Sequence, residues 1–180
     1  VVRVRAAGFV HRATLTLLLA LAPLGFAGAV TYLSPTDFVA SAFGDPVQPQ
    51  VLWLTGKHQG MAKTILGHTY AARRLRYWQA GKRTAWVLDE IGKERPITMG
   101  IIVEDGVISN IRILSYRETR GGEVRHPFFL DQFTGLGLTD EKRLNGPVDG
   151  ISGATLSVRA VTNVGRYALY LDKTVRSAAP

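Results

Sequence analysis

The chain has 180 residues, of which 46% are hydrophobic and 20% charged, enough for one globular domain with a core and too few for two. Its formal net charge of +8 suits anionic ligands or acidic partners. No basic stripe interleaved with aromatic residues accompanies this charge, so nucleic acid is not expected as a partner. Cysteine is absent, which excludes disulfides, thiolate-bound iron–sulfur clusters, c-type haem attachment and thiol catalysis. Redox chemistry would need an organic cofactor or a metal held by His or Met, and the spacing of the four histidines does not favour a metal site.

The N-terminal thirty residues combine a basic stretch with an apolar one. No acidic residue occurs before position 29, whereas three arginines do: Arg3, Arg5 and Arg12. One interpretation is a secretory signal peptide over residues 1–30 with a small-residue cleavage site at Ala27-Gly28-Ala29. The other is an uncleaved anchor over residues 13–33, which is long enough to span a bilayer. Both alternatives keep the N-terminus inside and deliver residues 31–180 to the periplasmic side of the inner membrane.

Two helices are predicted after this segment. Residues 34–44 are expected to be helical because Ser34 suits the N-cap, Pro35 the first helical position and Gly44 the stop. A Pro-containing linker follows. The next apolar residues then recur at helical spacing before Gly67, which is the expected C-terminal signal: Met61, Ile65 and Leu66.

From residue 70 onward the hydrophobic period changes to two. Residues 73–79 and 83–91 read as two strands joined by a turn. Residues 96–116 form the clearest hairpin of the chain, because Asp105-Gly106 supplies the left-handed positions of a tight turn between β-branched residues. The pattern therefore predicts four antiparallel strands in a meander, with helices covering the sheet, and an α+β fold.

A long loop and a long helix are predicted for the C-terminal part. The loop begins at residue 117 and contains about one helical turn around residues 128–133. The helix begins at about Thr155. Its apolar residues define one face: Val158, Val161, Val164, Ala168, Leu171 and Val175. Four charged residues lie off that face: Arg159, Arg166, Asp172 and Lys173.

The sequence "DGISGATLS", residues 149–157, immediately precedes and enters this helix. A helix start has unpaired N–H groups and the positive end of the helix dipole. Gly153 allows close approach of the backbone to a ligand, and the neighbouring side chains are small. These features suit an anion such as a phosphate. The alternative is that Ser152 or Thr155 simply caps the helix.

This stretch resembles the D-x-x-[ST]-G-A-T motif of the FMN-binding domain family. The family includes flavin-carrying subunits of the sodium-pumping NADH:quinone reductase and of the Rnf complex, and the N-terminal domain of the nitrous-oxide regulator. The resemblance implies that a flavin transferase esterifies Thr155 to the phosphate of FMN. It also implies that the surrounding residues form the recognition sequence: Asp149, Ser152, Gly153, Ala154 and Ser157.

A second stretch, "RETRGGEVR", stands where family members carry a Gly-rich loop similar to ETPGLG. Glu118 and Thr119 are retained and become candidate flavin contacts, whereas Arg120 replaces the usual proline. The resemblance covers roughly residues 97–170, and residues 45–95 match no motif of the family. Four aromatic residues are candidate neighbours of the flavin ring, although each is better explained as core: Trp78, Trp86, Tyr116 and Phe129.

The resemblance implies a periplasmic flavoprotein that relays electrons between donor and acceptor proteins of the membrane or the periplasm. Flavin supplies the redox chemistry in such proteins, and no catalytic acid–base pair is identified in the sequence. An electron-transfer protein is therefore favoured over a substrate-specific enzyme. Two alternatives remain. One is an accessory module that binds FMN noncovalently or not at all, and the other is an FMN-dependent reductase of a small acceptor.

Overall fold

The computed structural model describes residues 29–178, which fold around a six-stranded antiparallel sheet of strand order β1-β6-β5-β4-β3-β2. The strands are β1 (Val30–Thr31), β2 (Gln50–Trp53), β3 (Arg74–Ala80), β4 (Arg83–Ile91), β5 (Pro96–Glu104) and β6 (Val107–Tyr116). The helices are α1 (Pro35–Phe43), α2 (Gly56–Leu66), α3 (Pro127–Leu130) and α4 (Thr155–Ala178). The predicted α+β fold is confirmed.

The N-terminal segment predicted as a signal peptide (residues 1–30) or as an anchor (residues 13–33) falls largely outside the described residues. Val30, at its end, already pairs with Tyr116 as part of β1. Within residues 29–178, no helix combines the length and the apolar character needed to cross a bilayer.

Local signals place the first two helices where the sequence predicts them. Ser34 caps α1, since its side-chain oxygen accepts a hydrogen bond from the Asp37 N–H at 3.1 Å. Gly44 ends α1 with a positive φ of 76°. The left-handed Gly67 ends α2, and its N–H donates to the Lys63 carbonyl.

The predicted meander is present as β3 to β6, and two short strands extend it at either edge. Asp105 and Gly106 have positive φ values of 50° and 82°, as the tight β5–β6 turn requires. The sequence did not predict β1 or β2 as strands. Each has four residues or fewer, which is too short to show a period of two, and each is defined by its partner strand.

Helices cover both faces of the sheet. The main core lies between the sheet and the helices α2 and α4, and it includes Trp86, Ile97 and Phe129. A smaller cluster under α1 covers the opposite face and is centred on Phe38. A Cβ atom at Gly100 of β5 would lie 2.5 Å from the Phe38 ring, so this strand position admits only glycine.

Helix α4 is buried more extensively than one apolar stripe suggests. All but one of the residues predicted on its apolar face are buried, and Val158 is partly so. Asp172, which the pattern places off that face, is also fully buried. Its Oδ1 accepts from Thr84 at 2.9 Å, and its Oδ2 pairs with Arg176 Nε at 2.9 Å. Burial, the largest cause, raises the pKa of Asp172, and these two partners oppose that shift.

Candidate functional site

Helix α4 begins at Thr155 without a capping side chain at its N-cap. The Ala154 carbonyl accepts the first intrahelical hydrogen bond, from the Val158 N–H at 2.9 Å, which puts Ala154 at the N-cap position. Its methyl group cannot accept a hydrogen bond, and the first turn of α4 contains no acidic residue. Capping by Ser152 or Thr155 is therefore not the arrangement found, and the helix start retains donors and a positive dipole end for an external anion.

Three hydroxyl-bearing residues lie around this helix start, and the structure places them differently. Ser157 is only 4% exposed, and its Oγ lies 2.9 Å from the Tyr116 hydroxyl. Ser152 is exposed in the turn that precedes the helix. Thr155 is exposed at the first helical residue. Thr155 is thus the hydroxyl at the helix start itself that an external group can reach.

The turn that leads into α4 has the conformation expected of its glycine. Gly153 has a φ of 82°, which side-chain-bearing residues rarely adopt, and an added Cβ would meet no atom within 4 Å. The backbone here is therefore open to the surroundings. Upstream, the Asp149 N–H donates to Gln132 Oε1 at 2.7 Å, which ties the motif to the segment after α3. The Asp149 side chain is exposed.

The Gly-rich loop packs directly on the first turn of α4. The Tyr116 O–H donates to the Arg120 carbonyl at 2.5 Å and is also paired with Ser157. Gly121 has a φ of 81°, and an added Cβ would lie 2.6 Å from Ser157 Oγ. The buried hydroxyl groups of Tyr116 and Ser157 therefore join the Gly-rich loop to the motif at residues 149–157.

Glu118 has a clear place in this loop. Its Oε1 accepts the N–H groups of three successive residues in the β4–β5 turn, at 2.5, 2.6 and 2.9 Å: Lys93, Glu94 and Arg95. Burial would raise the pKa of Glu118, but these hydrogen bonds and the Lys93 charge outweigh it, so the pKa is lowered. Glu118 therefore holds the loop against the sheet end. Thr119, beside it, is exposed.

A basic side chain lies near the helix start. Arg159 follows Thr155 by four residues, so the two exposed residues share one side of α4. Arg120 is exposed in the loop whose backbone contacts Tyr116. The exposed Thr155 hydroxyl, the uncapped helical N–H groups and the Arg159 guanidinium together form a donor set that fits a phosphate group.

The four candidate aromatic neighbours are not equivalent. Trp86 and Phe129 are fully buried core residues, and Tyr116 is 5% exposed. Trp78 packs with the α1 cluster on the opposite face of the sheet from α4. Of the four, Tyr116 is therefore the residue that a described hydrogen bond connects to the motif at residues 149–157. That hydrogen bond involves its hydroxyl group and not its ring face. Sequence reasoning missed Gln132 and Gly121, although the paired glycines at 121–122 signalled an unusual backbone at this point.

Comparison with protein families agrees with residues 149–157 and the Gly-rich loop as the candidate site. Residues 92–170 match the family model of the FMN-binding domain. The match runs from the β4–β5 turn into α4 and includes the Gly-rich loop and the whole of residues 149–157. No curated protein matches the chain.

Proposed function

Residues 92–170 belong to the FMN-binding domain family, which makes this chain an FMN-binding flavoprotein, and we propose that its FMN is bonded through the phosphate to Thr155. The observation that carries the proposal is the exposed Thr155 hydroxyl at an uncapped helix start. Ser157, the other hydroxyl of that first turn, is buried and engaged with Tyr116. A flavin transferase catalyses the step with FAD as the FMN donor. Thr155 Oγ1 bonds to the phosphorus of the FMN half as the pyrophosphate bond of FAD breaks, AMP leaves, and the hydroxyl proton is released.

The surroundings of Thr155 stabilise the anionic linkage that results. One negative charge remains on a phosphate diester, and a helix N-terminus favours such a charge by about 0.3–1 kcal/mol. Arg159, one turn further along the same side of α4, supplies a positive charge. The open backbone at Gly153 leaves room for the phosphate oxygens. The motif residues Asp149, Ser152 and Ala154 act in recognition by the transferase.

A covalent link also explains how the protein would retain FMN where free FMN is scarce. The attachment residue Thr155 lies at the exposed beginning of a helix. A tether replaces affinity with a high effective concentration, so the cofactor stays bound where free FMN is scarce. This argument supports an extracytoplasmic location, as do the basic and apolar residues of the N-terminal segment.

Electron relay is the role that we propose for the bound flavin. FMN supplies the redox chemistry, and the protein supplies position and electrostatics. The exposed position of Thr155 leaves this site accessible to docking proteins, which would be a donor and an acceptor of the membrane or periplasm. We expect small acceptors to reoxidise the reduced flavin no faster than oxygen does. A much faster rate that depends on a particular substrate would instead identify a reductase.

Covalent attachment is tested by producing the protein together with a flavin transferase and denaturing it. We expect flavin fluorescence to remain with the unfolded polypeptide and to be lost in Thr155→Val. Thr162→Val is the matched control, since Thr162 lies on the same helix beyond the motif. Flavin that stays on Thr155→Val, or flavin released from the parent protein by denaturation, would contradict the proposal.

A further inference from the structure

A cavity of about 400 Å³ lies at the end of the sheet where β4 leads into β5. Its walls are largely apolar, and they come from the segment after α2 and from the two strands. The lining residues that matter here are His68, Tyr70, Ala72, Glu90, Ile91 and Pro96. Most of them precede residue 92, so the family match does not account for them.

Glu90 brings an unused hydrogen-bond acceptor to this cavity. The residue is only 7% exposed. Its Oε1 lies 2.8 Å from His68 Nε2, whereas its Oε2 is buried without a hydrogen-bond partner among the described residues. A buried carboxylate oxygen without a donor is costly, so a missing partner is expected there.

The other polar groups of the cavity define what that partner can be. His68 Nδ1 lies 2.9 Å from the Thr69 carbonyl and Nε2 lies 2.8 Å from Glu90 Oε1, so both ring nitrogens of His68 already face protein acceptors. The Tyr70 hydroxyl accepts from the Asp89 N–H at 3.0 Å, and its own proton is available to donate. Within residues 29–178, no group of three His, Asp or Glu side chains is placed to hold a metal ion. His68 and Asp89, whose Oδ1 accepts from Thr98, also line the cavity, and its other walls are apolar. The Tyr70 hydroxyl as donor and Glu90 Oε2 as acceptor suit a flat, uncharged group with an amide-like edge.

The cavity lies on the same face and at the same end of the sheet as the start of α4. Glu90 pairs with Ile97, and Ile97 pairs with Tyr116, so these three residues form one cross-strand row. Neighbouring strands are about 4.8 Å apart, which puts Glu90 about 10 Å across the sheet from Tyr116. Tyr116 in turn contacts Ser157, in the first turn after Thr155. The β4–β5 turn that Glu118 holds lies between Ile91 and Pro96 of the cavity wall.

We propose that this cavity receives the pyrimidine edge of the FMN ring, with Glu90 Oε2 accepting the ring N–H and the Tyr70 hydroxyl donating to a ring carbonyl. The inference rests on the proposed attachment at Thr155. The ribityl chain of FMN separates its phosphate from that edge, so a ring tethered at Thr155 extends away from the helix start along this end of the sheet. Tyr70, Ala72, Ile91 and Pro96 supply the apolar walls that would flank the ring.

The test uses the flavinylated protein and reads the environment of the ring instead of its activity. Tyr70→Phe and Glu90→Gln each alter one proposed contact. Tyr77→Phe and Glu104→Gln are matched controls, because Tyr77 bonds Gln50 and Glu104 bonds Arg83, away from this cavity. The readouts are visible circular dichroism of the flavin and quenching of its fluorescence by iodide, measured at equal flavin content.

The proposal predicts a changed visible dichroism and a severalfold rise in iodide quenching for Tyr70→Phe and Glu90→Gln, with no change in the controls. If all four variants match the parent protein at full flavin content, the ring lies elsewhere and this inference fails while the attachment at Thr155 stands. If the parent protein takes up no covalent flavin, that result contradicts the proposed attachment at Thr155 instead. If Glu90→Gln does not fold, Tyr70→Phe decides, because it removes a single hydroxyl.

Discussion

The hydroxyl groups of Tyr116 and Ser157 lie 2.9 Å apart and join the end of the sheet to the first turn of α4. The Tyr116 O–H also donates to the Arg120 carbonyl, so Ser157 is the donor to Tyr116. Burial raises the pKa of Tyr116, although the bond to Ser157 opposes the shift. The neutral hydroxyl therefore serves as a fixed joint between the Gly-rich loop and the residues beside Thr155.

Removing this joint should loosen the site at a modest cost in stability. Tyr116→Phe keeps the ring in the core and leaves the Arg120 carbonyl and the Ser157 hydroxyl without a partner. We expect a loss of about 1–3 kcal/mol in the free energy of unfolding, measured by urea denaturation. Tyr77→Phe, which removes a hydroxyl bonded to Gln50 near the opposite edge of the sheet, should cost less. Equal stability of Tyr116→Phe and the parent protein would show that the joint contributes nothing.

Gly121 allows the loop to approach α4. In Gly121→Ala the new Cβ would lie 2.6 Å from Ser157 Oγ and would also impose a strained positive φ. Gly135→Ala is the matched control, because Gly135 has a φ of 82° and no atom within 4 Å of an added Cβ. Strain alone should cost about 1 kcal/mol in both variants, and the contact should add about 1–3 kcal/mol in Gly121→Ala. Similar unfolding midpoints for the two variants would mean that the loop moves away from Ser157 at no cost in stability.

The Glu118 contacts predict an acid-sensitive part of the stability. The pKa of Glu118 is lowered below its ordinary 4.5 in the folded protein, so the folded state binds its proton less readily than the unfolded state. Its contribution is therefore fully present above pH 4.5 and disappears as the pH falls through the lowered pKa. Urea denaturation between pH 3 and 7 should show a shallower loss in Glu118→Gln than in the parent protein. Parallel curves would contradict this assignment.

Substitution of Asp149 distinguishes recognition by the flavin transferase from folding of the protein. Its side chain is exposed, and its backbone N–H makes the contact to Gln132, so Asp149→Ala should leave that contact and the fold unchanged. We expect the variant to unfold at the urea concentration of the parent protein and to acquire flavin more slowly from the transferase. Asp140→Ala, another exposed acidic residue outside the motif, provides the comparison. Normal loading of Asp149→Ala would remove this residue from the recognition sequence.

Features set by neighbouring residues could be predicted from the sequence, and features set by distant ones could not. The cap at Ser34, the stop at Gly67, the turn at Asp105-Gly106 and the helix start at Thr155 all depend on local preferences. The short strands β1 and β2 exist only through their partners.

The same distinction applies within the candidate site. The hydroxyl at Thr155 and the open backbone at Gly153 follow from the motif. The hydrogen bonds of Glu118 to the β4–β5 turn, the burial of Asp172 and the unpartnered oxygen of Glu90 each depend on residues more than ten positions away. No local pattern encodes such contacts, because they arise when the strands and α4 pack together.

The bond between FMN and Thr155 is tested by locating the modification on the chain. The protein is produced with a flavin transferase, digested, and its peptides are sequenced by tandem mass spectrometry. We expect the peptide that spans residues 149–159 to carry the mass of FMN less one water, with the added mass on Thr155. A fully loaded protein in which Ser152, Ser157 or any other residue carries that mass, or in which the peptide is unmodified, would contradict it.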